Sequence, residues 1–353
     1  MAIQHPPRFF SIGQLWNLAR VTASLALSRL LGRPVTLATP VMLMVEPTTA
    51  CQLHCPHCPT GRGELTRRGG NLTIANFRKL WDSIRPTPML LQLWNQGEPL
   101  VNRETPQIVR HAAASGARVT LSTNVELLAR GDLAEELVSA GLHELILSLD
   151  GATPESHASY RVGGRFDQVD QGIGRVVEAR RSLKSRHPLL TWQFLLFRHN
   201  LHEVALAKTL AKRWGVDRIL FKTAQLEAFE EGEGDRWLPE EPELRRYDLV
   251  NGSWVLRRAK RPFCKRIFAS AVVQWDGSVV PCCFDKVGAF VVGNLLEQSF
   301  EEVWRGAKFQ EFRQRILTGK RPPMCSNCTE GLSRLYARPK NRGKNPGGSF
   351  HLL

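Results

Sequence analysis

Short apolar runs alternate with stretches of helical periodicity from Val41 to about Gln225, the pattern that builds a parallel sheet wrapped by helices. The strand candidates are Val41 to Val45, Leu90 to Trp94, Arg118 to Ser122, Glu144 to Leu149, Leu190 to Phe197 and Arg218 to Lys222. Between them, helical spacing covers Ile74 to Ile84, Thr105 to Ser115, Leu133 to Ala140, Phe166 to Ser185 and Leu201 to Trp214. Six such strands make an α/β fold with a partial (β/α)6 TIM-like barrel rather than a closed one. Sheets of this kind bind ligands beyond the carboxyl ends of their strands.

Ahead of this region, Ile12, Leu15, Trp16, Ala19, Ala23, Ala26, Leu27 and Leu30 recur at steps of three and four, with polar residues mostly between them. The spacing predicts an amphipathic helix from about Ser11 to Leu31, stopped by Gly32 and Pro34. Its apolar side is expected either to pack against the outside of the main domain or to lie on a membrane surface, with Phe9, Phe10 and Trp16 at the interface. Past the barrel, Glu227, Glu230, Glu231, Glu233, Asp235, Glu240, Glu241 and Glu243 read as the solvated face of a linker. A compact segment follows, with a hairpin predicted from Ala271 to Trp275, the turn Asp276-Gly277, and Val279 to Cys282, and then a helix over Phe300 to Ile316. The chain divides accordingly into residues 1–40, 41–225, 226–261, 262–335 and a basic tail, 336–353.

The 353 residues exceed the usual single-domain size of roughly 100 to 200 residues, which suits one large barrel plus a smaller module. With 42% apolar and 23% charged residues the chain is ordinary globular material, not a disordered one. The net charge of +15 suits an anionic partner such as nucleic acid, a phospholipid surface or a phosphorylated substrate. Much of the excess is concentrated at Arg257 to Arg266 and in the tail at Arg334, Arg338, Lys340, Arg342 and Lys344, which weakens the nucleic-acid reading. The N-terminus shows no export signal, and no apolar run is long enough to cross a membrane. A cytoplasmic location follows, where clustered cysteines hold metal or do redox chemistry more often than they form disulfides.

Cys51, Cys55 and Cys58 stand as C-x3-C-x2-C directly after the first predicted strand. Three thiolates on one short loop can each ligate one iron of a cubane cluster and leave the fourth iron open. A structural zinc site, with His54 or His57 as the further ligand, is the alternative.

This loop at the end of the first strand of a β/α barrel resembles the defining motif of the radical S-adenosylmethionine (radical SAM) superfamily. The resemblance implies a 4Fe-4S cluster whose open iron is chelated by the amino and carboxylate groups of SAM. A reduced cluster, fed by an electron donor such as flavodoxin or ferredoxin, would pass one electron to the sulfonium, and a 5′-deoxyadenosyl radical would abstract a substrate hydrogen. The family often has an aromatic residue just before the third cysteine, where this chain has His57. Gln96-Gly97-Glu98-Pro99 is similar to the family's Gly-Gly-Glu-Pro segment, which implies that Gly97 and Glu98 receive the SAM amino group. Ser122 and Asn124, at the end of the third strand, correspond to polar contacts near the ribose, and Ser148 and Arg161 resemble SAM-binding residues of other members. The structural alternatives are a turn role for Glu98 and a surface ion pair for Arg161.

Five cysteines remain: Cys264, Cys282, Cys283, Cys325 and Cys328. The run C-x12-G-x4-C from Cys264 through Gly277 to Cys282, followed by Cys325-Ser-Asn-Cys328, resembles the SPASM and twitch extensions of radical SAM enzymes. That implies one auxiliary 4Fe-4S cluster held by Cys264, Cys282, Cys325 and Cys328, for electron transfer or for structure. Cys283 is either an alternative to Cys282 or a neighbouring free thiol, and four thiolates also suit zinc.

The expected function is that of a radical SAM enzyme with SAM as partner and a peptide or small molecule as substrate. A peptide-binding domain ahead of Val41 is not evident, and the apolar first helix leaves room for a membrane-associated substrate. Gln193, Lys222 and Gln225 are candidates for substrate contact at the barrel mouth. RNA modification, suggested by the charge, and a non-catalytic metal-binding scaffold are the competing readings. Nothing in these motifs identifies a catalytic residue beyond the cofactor machinery.

Overall fold

The computed structural model describes residues 10–84, 88–227, 232–257 and 263–329. Helix α1 (Ile12–Leu31) opens on a capping box: the Ser11 hydroxyl accepts from the Gln14 amide, and the Gln14 side chain accepts from the Ser11 amide. It closes at Gly32 in the left-handed region, the stop the sequence predicts.

The barrel runs through β1 (Met42–Val45), α2 (Ile74–Asp82), β2 (Leu90–Leu93), α3 (Thr105–Ala114), β3 (Arg118–Thr123), α4 (Leu133–Ser139), β4 (Glu144–Ser148), α5 (Pro154–Tyr160), α6 (Phe166–Ser182), β5 (Leu189–Leu196), α7 (Val204–Arg213) and β6 (Arg218–Thr223). Strands β1 to β6 pair in parallel and in sequence order. All six lie within one residue of the bounds expected from the apolar runs.

The chain continues through α8 (Glu233–Trp237), a separate hairpin of β7 (Tyr247–Val250) and β8 (Ser253–Leu256), α9 (Arg266–Ala269), β9 (Ser270–Val273), β10 (Ser278–Val280), β11 (Gly293–Asn294), α10 (Phe300–Arg305) and α11 (Ala307–Leu317). Strand β9 joins the open edge of the barrel in parallel with β1, Val273 opposite Val45. Strands β10 and β11 extend the sheet antiparallel, and the β9–β10 turn carries Gly277 at φ 83°. The C-terminal segment is thereby fastened to the barrel through main-chain hydrogen bonds.

Alternate strand residues such as Val45, Leu93, Leu121, Leu147 and Phe194 are fully buried in one core with Trp81, Ile108 and Val176 from the helices. Each fully buried side chain of this size contributes about 1.5–3 kcal/mol. Their neighbours on the strands, including Met44, Ser122, Ser148, Gln193 and Lys222, therefore face the barrel interior.

Three expectations change. Helix α1 does not pack by its apolar side: its buried residues are Gln14, Asn17, Val21, Ser24 and Ser28. The acidic stretch is not merely a solvated connector, because Leu226, Trp237, Leu238 and Tyr247 are buried with Leu53 and Cys55 in one apolar cluster. The single helix expected over Phe300 to Ile316 is two, broken at Gly306, whose ψ of 157° is extended. The basic tail 336–353, together with Phe9, Glu230, Glu231, Arg258, Lys260 and Arg261, lies outside the described residues.

Candidate functional site

The loop that follows β1 is clamped against the next strand end. The Glu98 amide donates to Ala50 O at 2.8 Å, and the Gly97 amide donates to Thr60 Oγ1 at 3.2 Å. Gly97 adopts φ 74°, and a Cβ there would lie 2.5 Å from Thr48 O and 2.8 Å from Ala50 O. Only glycine combines that dihedral with so close an approach. Within the loop, Cys58 N–H donates to Cys55 O at 3.1 Å, and His54 N–H ties it to Val162 O at 2.9 Å.

Two donors are directed at sulfur: Leu53 N–H to Cys51 Sγ at 3.4 Å, and Arg161 Nη1 to Cys55 Sγ at 3.9 Å. Burial pushes the Cys51 thiol up to about 12, and the nearby charges of Glu98, Cys55 and Cys58 add to it. Burial also raises Cys55, against the lowering pull of Arg161. The three thiols thus share one locality, and burial keeps Cys51 and Cys55 neutral unless a cation binds.

Glu98 is buried at the hub of the adjoining turn. Its Oε1 accepts from Thr123 Oγ1 at 2.7 Å and from Leu100 N–H at 3.1 Å, while Oε2 accepts from Asn124 N–H at 2.7 Å. A carboxylate offers about four lone-pair sites, so one on Oε2 is left for a further donor. Desolvation raises its pKa to about 7 despite these bonds. The Asn124 side chain accepts from Gln52 Nε2 of the cysteine loop at 3.0 Å, and the hydroxyls of Ser122 and Ser148 lie 2.9 Å apart. The loop that carries Cys51, Cys55 and Cys58 is therefore tied by hydrogen bonds to Gly97, Glu98, Asn124 and Arg161, with Ser122 and Ser148 side by side on β3 and β4.

Arg161 is neither a surface residue nor unpaired. Its Nε and Nη2 lie 2.7 and 2.6 Å from Oδ2 of the fully buried Asp150, whose Oδ1 accepts from Leu195 N–H at 2.9 Å. Asp150 lies two residues after Ser148 in the sequence, and only the fold brings it to Arg161.

His57 is buried among aromatic rings, edge-on to Trp237 at 5.6 Å and stacked on Tyr160 at 6.5 Å between centroids. Its Nε2 is 3.3 Å from Glu233 Oε2, while burial lowers its pKa. Glu233 also accepts from Trp237 Nε1 at 2.8 Å, so an acidic residue of the expected linker belongs to the wall around the cysteine loop.

The interior of the barrel mouth is lined by charged groups that sequence reasoning only partly found. Lys222 Nζ donates to Gln193 Oε1 at 3.3 Å, and burial lowers this lysine to about 8, helped by Arg246. Gln225 accepts from Arg246 Nη1 at 3.3 Å, and Arg246 also donates to Thr223. Opposite, Glu46 at the end of β1 is fully buried and accepts from Arg67 at 2.5 Å and Asn95 at 3.1 Å, while Lys286 pairs with Glu227. Glu46, Arg67, Arg246 and Lys286 lie in stretches that carry no motif. A charged residue at a strand's C-terminal end, as Glu46 is, was the one available signal.

The second cysteine set is only partly assembled. Burial pushes the Cys325 thiol up to about 11, with the charges of Cys328 and Cys264 adding to it, so these three are neighbours. Cys264 and Cys325 lie beside the apolar cluster of Ile267, Phe268, Phe312 and Ile316. Cys282 instead hydrogen-bonds to Cys283, a contact that raises the first thiol and lowers the second. Cys283 packs with Met44, Val272 and Val280 in the barrel interior and accepts from Arg266 Nη1 at 3.4 Å. Among the described residues no group of three or more His, Cys, Asp or Glu side chains is arranged to hold a single metal ion.

Two segments of the chain match known families. Residues 45–191 match the radical SAM superfamily, and residues 264–329 match SPASM, an iron-sulfur cluster-binding domain. An AdoMet-dependent heme synthase of Methanosarcina barkeri is 30% identical over 177 residues, 50% of this chain and 48% of that protein, so the chain spans about half of that relative. A PqqA peptide cyclase of Xanthomonas campestris pv. campestris is 25% identical over 317 residues, 83% of this chain and 80% of the cyclase. The same fold is found in the solved structure of anSMEcpe with bound AdoMet, with a TM-score of 0.59 and 18% identity over 85% of this chain and 86% of that one. Streptococcus suis SuiB bound to S-adenosylmethionine gives a TM-score of 0.59 at 14% identity, over 86% of this chain and 74% of SuiB. A radical SAM domain uses a 4Fe-4S cluster and SAM, and a SPASM domain binds auxiliary iron-sulfur clusters. By its two matched domains and the parallel barrel that carries the cysteine loop, the chain belongs to the radical SAM superfamily, with a SPASM domain after its core.

Proposed function

We propose that the chain is an enzyme that cleaves SAM reductively at a 4Fe-4S cluster held by Cys51, Cys55 and Cys58, and uses the resulting radical to remove a hydrogen atom from its substrate. The observation that carries this is the clamp of Gly97 and Glu98 against the cysteine loop, with Glu98 N–H on Ala50 O and Arg161 beside Cys55. When bound at these three thiolates, a cluster would supply the single electron that reductive cleavage of SAM requires.

The protein's own groups would divide the remaining work. Glu98 Oε2 keeps one acceptor site for the SAM amino group, with the carbonyl of Gly97 beside it. Ser122, Asn124 and Ser148 offer hydroxyl and amide groups for the ribose and carboxylate. Arg161, balanced by Asp150, holds positive charge next to a cluster thiolate, where it stabilises the anionic form of the sulfur. Leu53, Tyr160 and Trp237 close the loop from water. The donors fit a cluster better than one ion, since a cubane takes one thiolate per iron and these thiols are not arranged around a single metal.

Cys264, Cys282, Cys325 and Cys328 would hold one auxiliary 4Fe-4S cluster. Its role is to accept an electron from the substrate radical or to shape the module that closes the barrel. The substrate is a peptide or a small molecule, and the similarity to PqqA peptide cyclases along most of the chain favours a peptide. Flavodoxin or ferredoxin would supply the electron, in the cytoplasm. Among the described residues no helix is long and apolar enough to cross a membrane.

The test is anaerobic reconstitution with iron and sulfide, reduction by dithionite, and measurement of 5′-deoxyadenosine and methionine. Release from the wild-type chain, and none from Cys51→Ala, Cys55→Ala or Cys58→Ala, is expected. A cluster that forms in full yet releases neither product would refute the reading. Ala at Cys264, Cys325 and Cys328 together should remove the second cluster's iron while sparing that release.

A further inference from the structure

Helix α1 is amphipathic in the reverse of the usual sense. Asn17, Ser24 and Ser28 point inward and bond the chain that leads into β1. Asn17 Nδ2 donates to Thr39 O at 2.9 Å and its Oδ1 accepts from Thr39 N–H at 3.1 Å, while Ser24 Oγ accepts from Leu37 N–H at 3.0 Å and Ser28 Oγ from Val35 N–H at 2.8 Å. The physical reason is the surface beneath the helix. Phe10 stacks on Arg118 at the start of β3, Thr39 lies just ahead of β1, and Leu25 packs with Ile267 and Phe268 just ahead of β9. The helix thus crosses the N-terminal ends of the parallel strands, where main-chain polar groups of the entering loops need partners.

The apolar residues are left on the opposite side. Ile12 is 88% exposed, Trp16 66% and Leu30 80%, with Leu15, Leu27 and Leu31 exposed beside them. On a helical wheel Ile12, Trp16, Ala19, Ala23 and Leu30 form one stripe, with Arg20 and Arg29 on its two flanks. An isolated exposed leucine means little, but a continuous stripe of this length marks a contact surface. The charge identifies the occupant: residues 1–45 contain Arg8, Arg20, Arg29 and Arg33 and no Asp or Glu. A second copy of the chain would set these arginines against one another, whereas an anionic bilayer takes the apolar stripe into its headgroup region and the arginines onto its phosphates.

We infer that α1 seats the protein on the surface of an anionic phospholipid membrane, by the outward stripe of Ile12, Trp16 and Leu30 and the flanking arginines. The cysteine loop and the barrel mouth lie at the opposite, C-terminal ends of the strands, so the docked enzyme would present its mouth to the aqueous side. This inference stands independently of SAM cleavage.

Flotation of the full-length, cluster-reconstituted protein with vesicles tests it, using phosphatidylglycerol mixed with phosphatidylcholine against phosphatidylcholine alone. The expected result is flotation with the mixed vesicles, weakened by salt, and a fall of at least about tenfold in the triple variant Ile12→Gln, Trp16→Gln, Leu30→Gln. The melting temperature should stay unchanged, since these side chains are exposed. Quenching by brominated lipid should reach the wild type and be diminished in Trp16→Phe. The inference is overturned if the wild type does not float, if the triple variant or neutral vesicles bind as well, or if the triple substitution merely turns a dimer into a monomer.

Discussion

Arg161 and Asp150 form a buried ion pair, with guanidinium nitrogens 2.6 and 2.7 Å from one carboxylate oxygen, while a third nitrogen reaches 3.9 Å toward Cys55. The pair comes from the end of α5 and the end of β4, and it sets the charge beside the cysteine loop without a ligand. Asp150→Asn should leave a buried guanidinium uncompensated and lower stability by about 3–5 kcal/mol. Asp150→Asn combined with Arg161→Met should recover part of that loss, as read from urea midpoints of the cluster-free chain. Equal midpoints for wild type and Asp150→Asn would show that the pair is not formed.

Glu98 makes stability depend on pH in a definite direction. Its folded-state pKa of about 7 lies above the ordinary 4.5, so between those values the folded chain keeps a proton that the unfolded chain releases. The stability from the protonated group is complete below pH 4.5 and is lost as pH rises through 7. The shift corresponds to roughly 3 kcal/mol. Urea titrations of the cluster-free chain from mildly acid to mildly alkaline pH should show this fall in the wild type and a flatter profile in Glu98→Gln.

Gly97→Ala combines an unfavourable dihedral with contact against Thr48 O and Ala50 O, both main-chain atoms that cannot yield cheaply. The variant should lose about 1–3 kcal/mol of stability and bind SAM at least about tenfold more weakly after reconstitution. Equilibrium dialysis with labelled SAM measures the second effect. Gly116→Ala, at a positive φ but with open space around it, is the control for backbone strain alone.

Trp237 reaches from α8 to pack against His57, Tyr160 and Phe197. Trp237→Ala should cost about 3–5 kcal/mol and expose the cysteine loop. Faster bleaching of the reconstituted cluster by a chelator, with iron content normal at the start, is the expected readout. A bleaching rate equal to that of the wild type would mean that this wall does not shield the loop.

The apolar alternation of the sequence determined the six barrel strands, because a strand buried against helices must be apolar whatever its surroundings. The cysteine spacings carried the resemblance to the radical SAM superfamily, because three thiols on one short loop suit a cubane with one open iron. What only the tertiary structure decided are relationships between distant segments. The pairing of Arg161 with Asp150, the enclosure of His57 by Trp237, the charged mouth built from Glu46, Arg67 and Arg246, and the contact of Cys283 rather than Cys282 with Arg266 each depend on where strand ends converge. Helix α1 shows the distinction most clearly. Its periodicity was legible residue by residue, but which side faces the protein was settled by the polar loop backbone beneath it, where hydrogen bonds from Asn17, Ser24 and Ser28 outweigh apolar contact.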